Sequence, residues 1–415
     1  MRIVIATSVY FPMINGVAVF SHNLAVGLKK RGHEVMVITP SQTKRSHTEV
    51  QDGVKVVYLK STELKIYPDQ IHELEANEKK ASKRFYKHGL KVSIFPMRQI
   101  RRALQDFQPD VVHVQGSDPI GVSVVRYAKK HHIPVVTTEH NQAEVLTEPL
   151  KLPKFMKKPV NKALTGYFKN RQKKSDYVTM PTKLAIEHLF KGEDIGVPIE
   201  AVSNGVDLSA FKPGKAPESL YQKYQIPRDA KIALYVGRID PEKKIGTTIK
   251  AFKDFLDKHK FDSLSKTLFL VVGDGVEKNQ LIKMTSRLGL GESVRFLGRI
   301  TPPELYNIYR LGDVFVTASD IETQGIVLIE AAAAGLPLIA VNAGAVREVC
   351  LDSRNGYLVE PGDVKGISAA LTKILSDDEM RQKMAEQSTK VASRHSLERT
   401  VDRFLEIYEK LGKRV

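Results

Sequence analysis

Short apolar runs recur along the whole chain, separated by polar or glycine-containing segments. Runs of this kind are typical of strands that are buried on both faces of a parallel sheet. Between them lie segments whose apolar residues recur at helical spacing, such as 18–30. The predicted strands are 2–7, 34–39, 54–59, 110–115, 133–138, 176–181, 231–237, 267–272, 293–297, 314–318 and 338–341. Strands that alternate with helices predict a doubly wound α/β fold.

The segment 313–348 combines a predicted strand, a polar loop and an apolar helix predicted for 325–334. Gly335 and Pro337 are typical of a helix end. Glu322 lies at the helix entrance, and Glu330 lies about 8 Å along the axis from the helix start, at about 1.5 Å per residue. Between the two carboxylates, the helix N-terminus offers free N–H groups and a positive dipole end. Along this segment, Glu322 offers a hydroxyl acceptor, the helix N-terminus an anion site and Glu330 a second hydroxyl acceptor. This order matches the sugar, diphosphate and ribose of a nucleotide sugar.

A plainer interpretation of both carboxylates is open. A Glu near a helix start often only complements the dipole, and a Glu inside a helix is usually solvated. The residues 326–334 carry no charge other than that of Glu330. Because burying a lone carboxylate is costly, Glu330 is expected either to face a cleft or to be paired.

Length and composition limit the class of protein. A chain of 415 residues predicts two domains. The single cysteine, Cys350, allows no internal disulfide and fits a reducing compartment. The first residues lead directly into a predicted strand, so no signal peptide is expected, and no apolar run is long enough to predict a transmembrane helix.

The net charge of +17 is concentrated in the first half of the chain. Residues 1–200 hold 32 Lys and Arg against 19 Asp and Glu, whereas residues 201–415 hold 32 against 28. Such an excess indicates an anionic partner, which is nucleic acid, an anionic membrane or a phosphorylated substrate. Residues 79–105 and 151–174 each contain nine Lys or Arg and no acidic residue.

The stretch 151–174 also carries apolar residues at helical spacing. These residues are Phe155, Met156, Val160, Ala163, Leu164, Tyr167 and Phe168. A basic amphipathic helix with aromatic residues is typical of a membrane-surface helix, and the alternative is a helix whose apolar stripe packs on its own domain. The candidate membrane contacts are Lys154, Lys157, Lys158 and Lys162.

Polar residues follow several predicted strands, where ligands bind in open parallel sheets. Gly16 lies in a strand–loop–helix arrangement that is suited to phosphate binding, or is part of a plain turn. His140 follows the strand 133–138 and is either a ligand contact or a structural histidine. Arg238 and Lys243 follow the strand 231–237, and their fixed charges suit a diphosphate unless they are simply solvated.

The chain resembles the retaining glycosyltransferases of family GT4 in two motifs. One is the Glu-x7-Glu spacing with its Ala-rich helix and Gly-x-Pro end, and the other is the Gly-Arg…Lys pattern at 237–243. After Glu322 the chain reads Thr323, Gln324 and Gly325, where the family usually has Gly or Ser followed by an aromatic residue. The resemblance implies an α/β GT-B fold, with two doubly wound Rossmann-like domains facing across a cleft.

Domain boundaries follow from the same resemblance. We expect an acceptor-binding domain at 1–200, a linker at Asn204-Gly205 and a nucleotide-sugar-binding domain at 205–390. The helix at 396–415 is expected to cross back onto the first domain.

The resemblance also implies roles for individual residues. The expected catalytic residues are His140, Arg238, Lys243 and Glu322. The expected donor-binding residues are Gly16, Arg238, Lys243, Arg299, Ile300, Glu322, Gln324, Gly325, Ile326 and Glu330. Arg238 and Lys243 would neutralise the leaving diphosphate, Glu330 would accept from the ribose hydroxyls, and Glu322 from the sugar. Since these cations and a helix dipole carry the leaving-group charge, and no acidic residues cluster at strand ends, no metal or other cofactor is expected.

The family includes bacterial membrane-associated lipid glycosyltransferases such as diacylglycerol glucosyltransferases. The expected reaction is therefore retaining transfer of a hexose from UDP-glucose to a membrane lipid, diacylglycerol, by a cytoplasmic protein bound to the inner face of the cell membrane. A soluble GT4 enzyme acting on a small sugar or polyol, or using GDP-mannose, is the alternative. A non-catalytic RNA-binding protein is the third hypothesis; the basic stretches match no known nucleic-acid module, so no nucleic-acid partner is expected.

Overall fold

The computed structural model describes residues 1–11, 13, 15–43, 45–64, 90–93, 96–140, 143, 147 and 153–413. The chain divides into two compact units. The first comprises Met1–Gly205 with Leu397–Val415, and the second comprises Val206–Ser396. Each unit is built around its own largely or wholly parallel sheet.

The first unit contains an eight-stranded sheet of order β10-β9-β8-β7-β1-β2-β4-β3, in which only β3 is antiparallel to its neighbour. The strands are β1 Arg2–Thr7, β2 Glu34–Pro40, β3 His47–Gln51, β4 Val54–Leu59, β5 Thr62–Leu64, β6 Leu90–Val92, β7 Val111–Gln115, β8 Val135–Thr138, β9 Tyr177–Met180 and β10 Ile199–Ala201; β5 and β6 form a separate antiparallel pair. The helices are α1 Gly16–Lys30, α2 Met97–Phe107, α3 Pro119–Lys130, α4 Lys154–Gln172, α5 Lys183–Phe190 and, at the end of the chain, α13 Leu397–Gly412.

Both faces of this sheet are covered, which explains the continuous apolar runs. Ile3 and Ile5 of β1 belong to one buried cluster, whereas Val4 and Ala6 belong to the cluster on the other face. Helices α1 and α13 contribute to the first of these clusters, and α2 and α3 contribute to the second. The last helix of the chain is thus part of the core of the first unit.

The second unit contains a six-stranded, wholly parallel sheet of order β13-β12-β11-β14-β15-β16. Its strands are β11 Ile232–Val236, β12 Leu268–Val272, β13 Val294–Gly298, β14 Val314–Val316, β15 Leu338–Val341 and β16 Gly356–Val359. Its helices are α6 Glu218–Lys223, α7 Ile245–Lys258, α8 Lys278–Arg287, α9 Glu304–Tyr309, α10 Ile326–Ala333, α11 Val364–Ser376 and α12 Asp378–Ala392. Leu234 and Val236 face one buried cluster, and Ala233 and Tyr235 face the other.

The doubly wound α/β architecture that the sequence predicts is therefore confirmed in both units. Each of the eleven predicted strands has a counterpart, although β14 ends at Val316 rather than at Ala318. The sequence pattern does not predict β3, β5, β6, β10 or β16. Four of the five residues of β3 are exposed, so no apolar run marks it. None of the described helices is long and apolar enough to cross a membrane.

Candidate functional site

The carboxyl edge of the second sheet brings together the loops that follow β11 and β12. A Cβ atom on Gly273, which has a φ of +138°, would lie only 1.8 Å from the carbonyl oxygen of Gly237. The two loops therefore touch backbone to backbone, and only glycine allows this approach. Arg238 follows this contact directly, and Lys243 ends the short 3-10 turn Pro241–Lys243.

Lys243 and Glu322 form an ion pair between the loop after β11 and the loop that precedes α10. The distance from Lys243 Nζ to Glu322 Oε1 is 2.6 Å, and the two side chains are only 16% and 15% exposed. Lys244 pairs in the same way with Asp320. The structure thus places the predicted cation and the predicted first carboxylate in direct contact.

Arg238 lies at the same edge, where its guanidinium group contacts two carboxylates. Its Nη1 pairs with Asp240 and its Nη2 with Glu242. The buried Tyr235 donates a hydrogen bond from its hydroxyl to the Arg238 carbonyl oxygen at 2.7 Å. The strand residue before the loop therefore fixes the backbone from which the guanidinium extends.

Glu330 lies on the second turn of α10. Its carboxylate is paired with another side chain, which is one of the two alternatives that the sequence predicts. The Tyr309 hydroxyl donates to Glu330 Oε2 at 2.6 Å. Burial raises the pKa of Glu330 to about 7, and the hydrogen bond from Tyr309 lowers that pKa and so limits the rise. Burial thus favours the protonated form of this carboxyl group, and the hydrogen bond from Tyr309 favours its ionised form.

The residues between the two carboxylates form the start of α10. Gln324 is buried, and Gly325 is the N-cap residue with a φ of +76°. A Cβ atom on Gly325 would lie 2.7 Å from Leu328 Cδ1, so this position requires glycine. Because Gly325 has no side chain to cap the helix, the first N–H groups, beginning at Ile326, present the positive end of α10 toward this edge.

Arg299 and Ile300 follow β13, which is an outer strand of the same sheet. The Arg299 side chain is exposed, and Ile300 is half-buried against one of the two core clusters of this unit. Both lie beyond the carboxyl end of a strand, where ligands bind in open parallel sheets.

His140 follows β8 in the first unit and is buried. Its Nε2 lies 2.8 Å from Gln115 Oε1, and its ring centroid lies 5.1 Å from that of Phe20. Burial lowers the pKa of His140 to about 3, so the ring is neutral at physiological pH. With Nε2–H donating to Gln115, Nδ1 is the acceptor nitrogen. His140 therefore acts in hydrogen bonding, not as a cation.

Gly16 is the first residue of α1 and is exposed. The helix is capped by the preceding residue, because the Asn15 side chain accepts a hydrogen bond from Ala18 N at 2.9 Å. Gly16 thus lies at a helix N-terminus after β1, as the strand–loop–helix pattern predicts.

The apolar residues of helix α4, predicted to form a single stripe, are partly packed against the first unit and partly exposed. Leu164 and Phe168 pack against a buried cluster of the first unit. Phe155, Met156 and Tyr167 are instead 80%, 40% and 39% exposed. The prediction of a single stripe is therefore wrong, because residues at helical spacing cover more than one side of the helix.

The candidate membrane lysines lie on this helix. Lys158 and Lys162 are exposed, Lys157 is half-buried, and Lys154 is the first residue of α4. The other basic stretch, 79–105, lies partly outside the described residues. Its described end belongs to α2, where Arg98, Arg101 and Arg102 are exposed.

Several side chains at these edges were not predicted from the sequence. Glu139 is fully buried. It accepts hydrogen bonds from Ser117 Oγ at 3.0 Å and from Gln172 Nε2 at 2.8 Å. These two hydrogen bonds connect α4 to the ends of β7 and β8. Asp240 contacts the predicted site residue Arg238, and Tyr309 contacts Glu330. Asp320 pairs with Lys244, the residue after Lys243. Within the described part of the chain, no group of three or more His, Cys, Asp or Glu side chains has an arrangement that could hold a metal ion.

Comparison with known proteins identifies both units. Residues 218–391 match the family model described as glycosyl transferases group 1, and residues 14–210 match the model of glycosyltransferase family 4. The alpha-monoglucosyldiacylglycerol synthase of Acholeplasma laidlawii is 28% identical over 86% of this chain and 84% of its own length. A D-inositol 3-phosphate glycosyltransferase of Corynebacterium urealyticum is 32% identical over 51% of each chain.

Solved structures share the fold. A sucrose-phosphate synthase from Thermosynechococcus elongatus superposes with a TM-score of 0.79 over the full length of both chains, at 18% identity. WaaG, a glycosyltransferase involved in lipopolysaccharide biosynthesis, gives a TM-score of 0.67 over 98% of this chain and 99% of its own, at 16% identity. The two Rossmann-like sheets are those of the GT-B class, as predicted. The chain belongs to the GT4 family of glycosyltransferases.

Proposed function

We propose that the protein is a retaining hexosyltransferase that moves glucose from UDP-glucose to diacylglycerol at a membrane surface. The observation that carries this proposal is the arrangement around α10, where the Lys243–Glu322 pair lies at the helix entrance and Glu330 lies on its second turn. Similarity to two alpha-monoglucosyldiacylglycerol synthases over 86% of the chain supports the choice of sugar and lipid.

The donor is proposed to lie along the carboxyl edge of the second sheet. Glu330 accepts from the ribose hydroxyls, Arg238 and Lys243 bind the diphosphate, and Glu322 accepts from the sugar. The backbone of Gln324, Gly325 and Ile326 faces the phosphates, and Arg299 and Ile300 face the base. In the first unit, Gly16 and His140 are assigned to the sugar or the acceptor.

The proposed reaction retains the configuration at the anomeric carbon. The bond from that carbon to the phosphate oxygen breaks, and the acceptor oxygen bonds to the same face of the sugar. The acceptor hydroxyl proton passes to the departing phosphate. Arg238, Lys243 and the helix N-terminus stabilise the negative charge that develops on the diphosphate, so no metal ion is required.

The proposed partner on the acceptor side is an anionic membrane. Phe155, Met156 and Tyr167 expose apolar surface on α4, and Lys158 and Lys162 are exposed on the same helix. Each Lys near an anionic leaflet contributes about 1 kcal/mol at most, and the aromatic side chains add burial at the interface. Reversible binding to the inner face of the cell membrane would bring the enzyme to a lipid acceptor.

The experiment that tests the proposal supplies radiolabelled UDP-glucose, UDP-galactose or GDP-mannose with vesicles of phosphatidylglycerol and diacylglycerol. A labelled lipid from UDP-glucose, with an α-anomeric signal in NMR spectra, is the expected product. Parallel reactions contain inositol phosphate or free sugars without lipid. A product only in those reactions, or only from GDP-mannose, would refute the proposed acceptor or donor.

A further inference from the structure

Tyr309, at the end of α9, is a fully buried aromatic residue whose hydroxyl reaches the candidate donor site. Its ring packs edge-on against Phe211 at a centroid distance of 5.4 Å and nearly parallel to Phe315 at 6.3 Å. These contacts hold the ring inside the core of the second unit. The hydroxyl that donates to Glu330 Oε2 at 2.6 Å is consequently fixed in position.

This hydrogen bond determines which parts of the Glu330 carboxylate remain available. Oε2 already accepts from Tyr309, and no side chain in the described part of the chain donates to Oε1, which therefore keeps its acceptor capacity. Burial raises the pKa of Glu330, and Tyr309 is the side chain that opposes this rise by stabilising the ionised form. Among the described residues, Tyr306 is a further titratable group that interacts with Glu330, and its raised pKa keeps its hydroxyl protonated.

We propose that Tyr309 is a positioning residue for nucleotide binding, because its hydroxyl holds Glu330 oriented and ionised so that Oε1 accepts from the ribose hydroxyls. This inference rests on the proposed function, in which Glu330 contacts the ribose. Tyr309 would thus have a ligand-dependent role in addition to its place in the core of the second unit. Tyr309 itself acts only through Glu330.

The ordinary alternative is that Tyr309 only fills the core and donates to a partly buried carboxyl group. The chain offers a matched control for this alternative. Tyr224 donates a hydrogen bond to Glu304 Oε1 at the same distance of 2.6 Å, in the same unit but at the opposite end of α9. Replacing either tyrosine with Phe removes one Tyr–Glu hydrogen bond and one hydroxyl group.

The test measures dissociation constants for UDP and for 2′,3′-dideoxyuridine diphosphate by calorimetry, in the wild type, Tyr309→Phe and Tyr224→Phe. We expect Tyr309→Phe to weaken UDP binding about tenfold, in line with a lost hydrogen bond to a charged group. Binding of the dideoxy nucleotide should be nearly unchanged by the substitution, because that ligand has no ribose diol. Tyr224→Phe should leave both constants within twofold of the wild type.

The pH dependence gives a second measurement. Because the hydrogen bond from Tyr309 stabilises ionised Glu330, its loss raises the pKa of that carboxyl group. In the wild type, UDP affinity should fall as the pH decreases through about 7. In Tyr309→Phe the midpoint of this fall should move to higher pH, and in Tyr224→Phe it should not move.

These measurements distinguish a failure of the role of Tyr309 from a failure of the proposed function. Equal weakening of UDP and dideoxy-UDP in Tyr309→Phe, or an unchanged midpoint, would show a purely structural role and overturn the inference while the proposed function stands. A wild-type protein that binds no nucleoside diphosphate, or that binds UDP and dideoxy-UDP equally, would overturn the proposed role of Glu330 and this inference with it. Thermal unfolding of each variant verifies that the constants refer to folded protein.

Discussion

Replacing Lys243 with Ala perturbs both the electrostatics of the candidate site and one largely shielded ion pair. Lys243 Nζ lies 2.6 Å from Glu322 Oε1, with only 16% and 15% of the two side chains exposed. The substitution removes a cation assigned to the donor diphosphate. It also leaves Glu322 without this partner in a poorly solvated position.

The expected loss of activity follows from the role of the charge. Removing one group that stabilises a developing anion costs about 2.7–4 kcal/mol, which corresponds to a factor of about 10²–10³ in rate. We therefore expect kcat/KM for UDP-glucose to fall by about 10² or more. The protein should remain folded, because Lys243 lies in a loop at the sheet edge and outside both core clusters.

The matched control is Lys223→Ala. Lys223 Nζ lies 2.7 Å from Glu304 Oε1, but these side chains are 54% and 31% exposed. The same charge is removed from a solvated pair, so kcat/KM should stay within twofold of the wild type. Initial rates at varied UDP-glucose, with thermal unfolding curves, measure both variants. Near wild-type rates for Lys243→Ala with every donor, or an equal loss in Lys223→Ala, would refute the reasoning.

Three further results are expected. Transfer activity should persist in excess EDTA because Arg238 and Lys243 supply the positive charge; loss of activity that Mg²⁺ or Mn²⁺ restores would contradict this. A variant with Glu at four lysine positions should not pellet with phosphatidylglycerol vesicles, while its UDP dissociation constant should be unchanged; the substituted residues are Lys154, Lys157, Lys158 and Lys162. High salt should weaken pelleting of the wild type. A wild-type protein that does not bind these vesicles at low salt would favour a soluble acceptor. Gly325→Ala should weaken UDP binding at least fivefold in calorimetry, since the new Cβ would lie 2.7 Å from Leu328 Cδ1 at a positive φ, and unchanged affinity would show that the start of α10 does not contact the donor.

Sequence patterns predict the core strands well for a physical reason. Strands such as β1 and β11 are buried on both faces, so nearly every residue is apolar and the run is visible. The strand β3 pairs at the sheet edge and exposes most of its side chains, so hydrogen bonding forms it without an apolar run. Periodicity therefore detects burial, and it misses strands that burial does not stabilise.

The site residues were predicted from strand ends, from the segment around α10 and from the family resemblance, but which side chains contact each other was not predicted. Lys243 and Glu322 are 79 positions apart, and Tyr309 and Glu330 are 21 positions apart. No local rule connects residues at such separations. The stripe on α4 shows a related limit, because helical spacing does not say whether Phe155 or Phe168 faces the domain core.

The cations at the carboxyl edge of the second sheet lie beside carboxylates of the same unit. Arg238 contacts Asp240 and Glu242, and Lys243 contacts Glu322, so no cation among these described pairs is left uncompensated. Holding these charges in poorly solvated positions without partners would be costly in free energy. On the proposed function, a donor diphosphate would exchange one anionic partner of Arg238 and of Lys243 for another. The net binding energy of the diphosphate would then be the difference between two sets of ion pairs, and the proposed ribose contact at Glu330 would add to it.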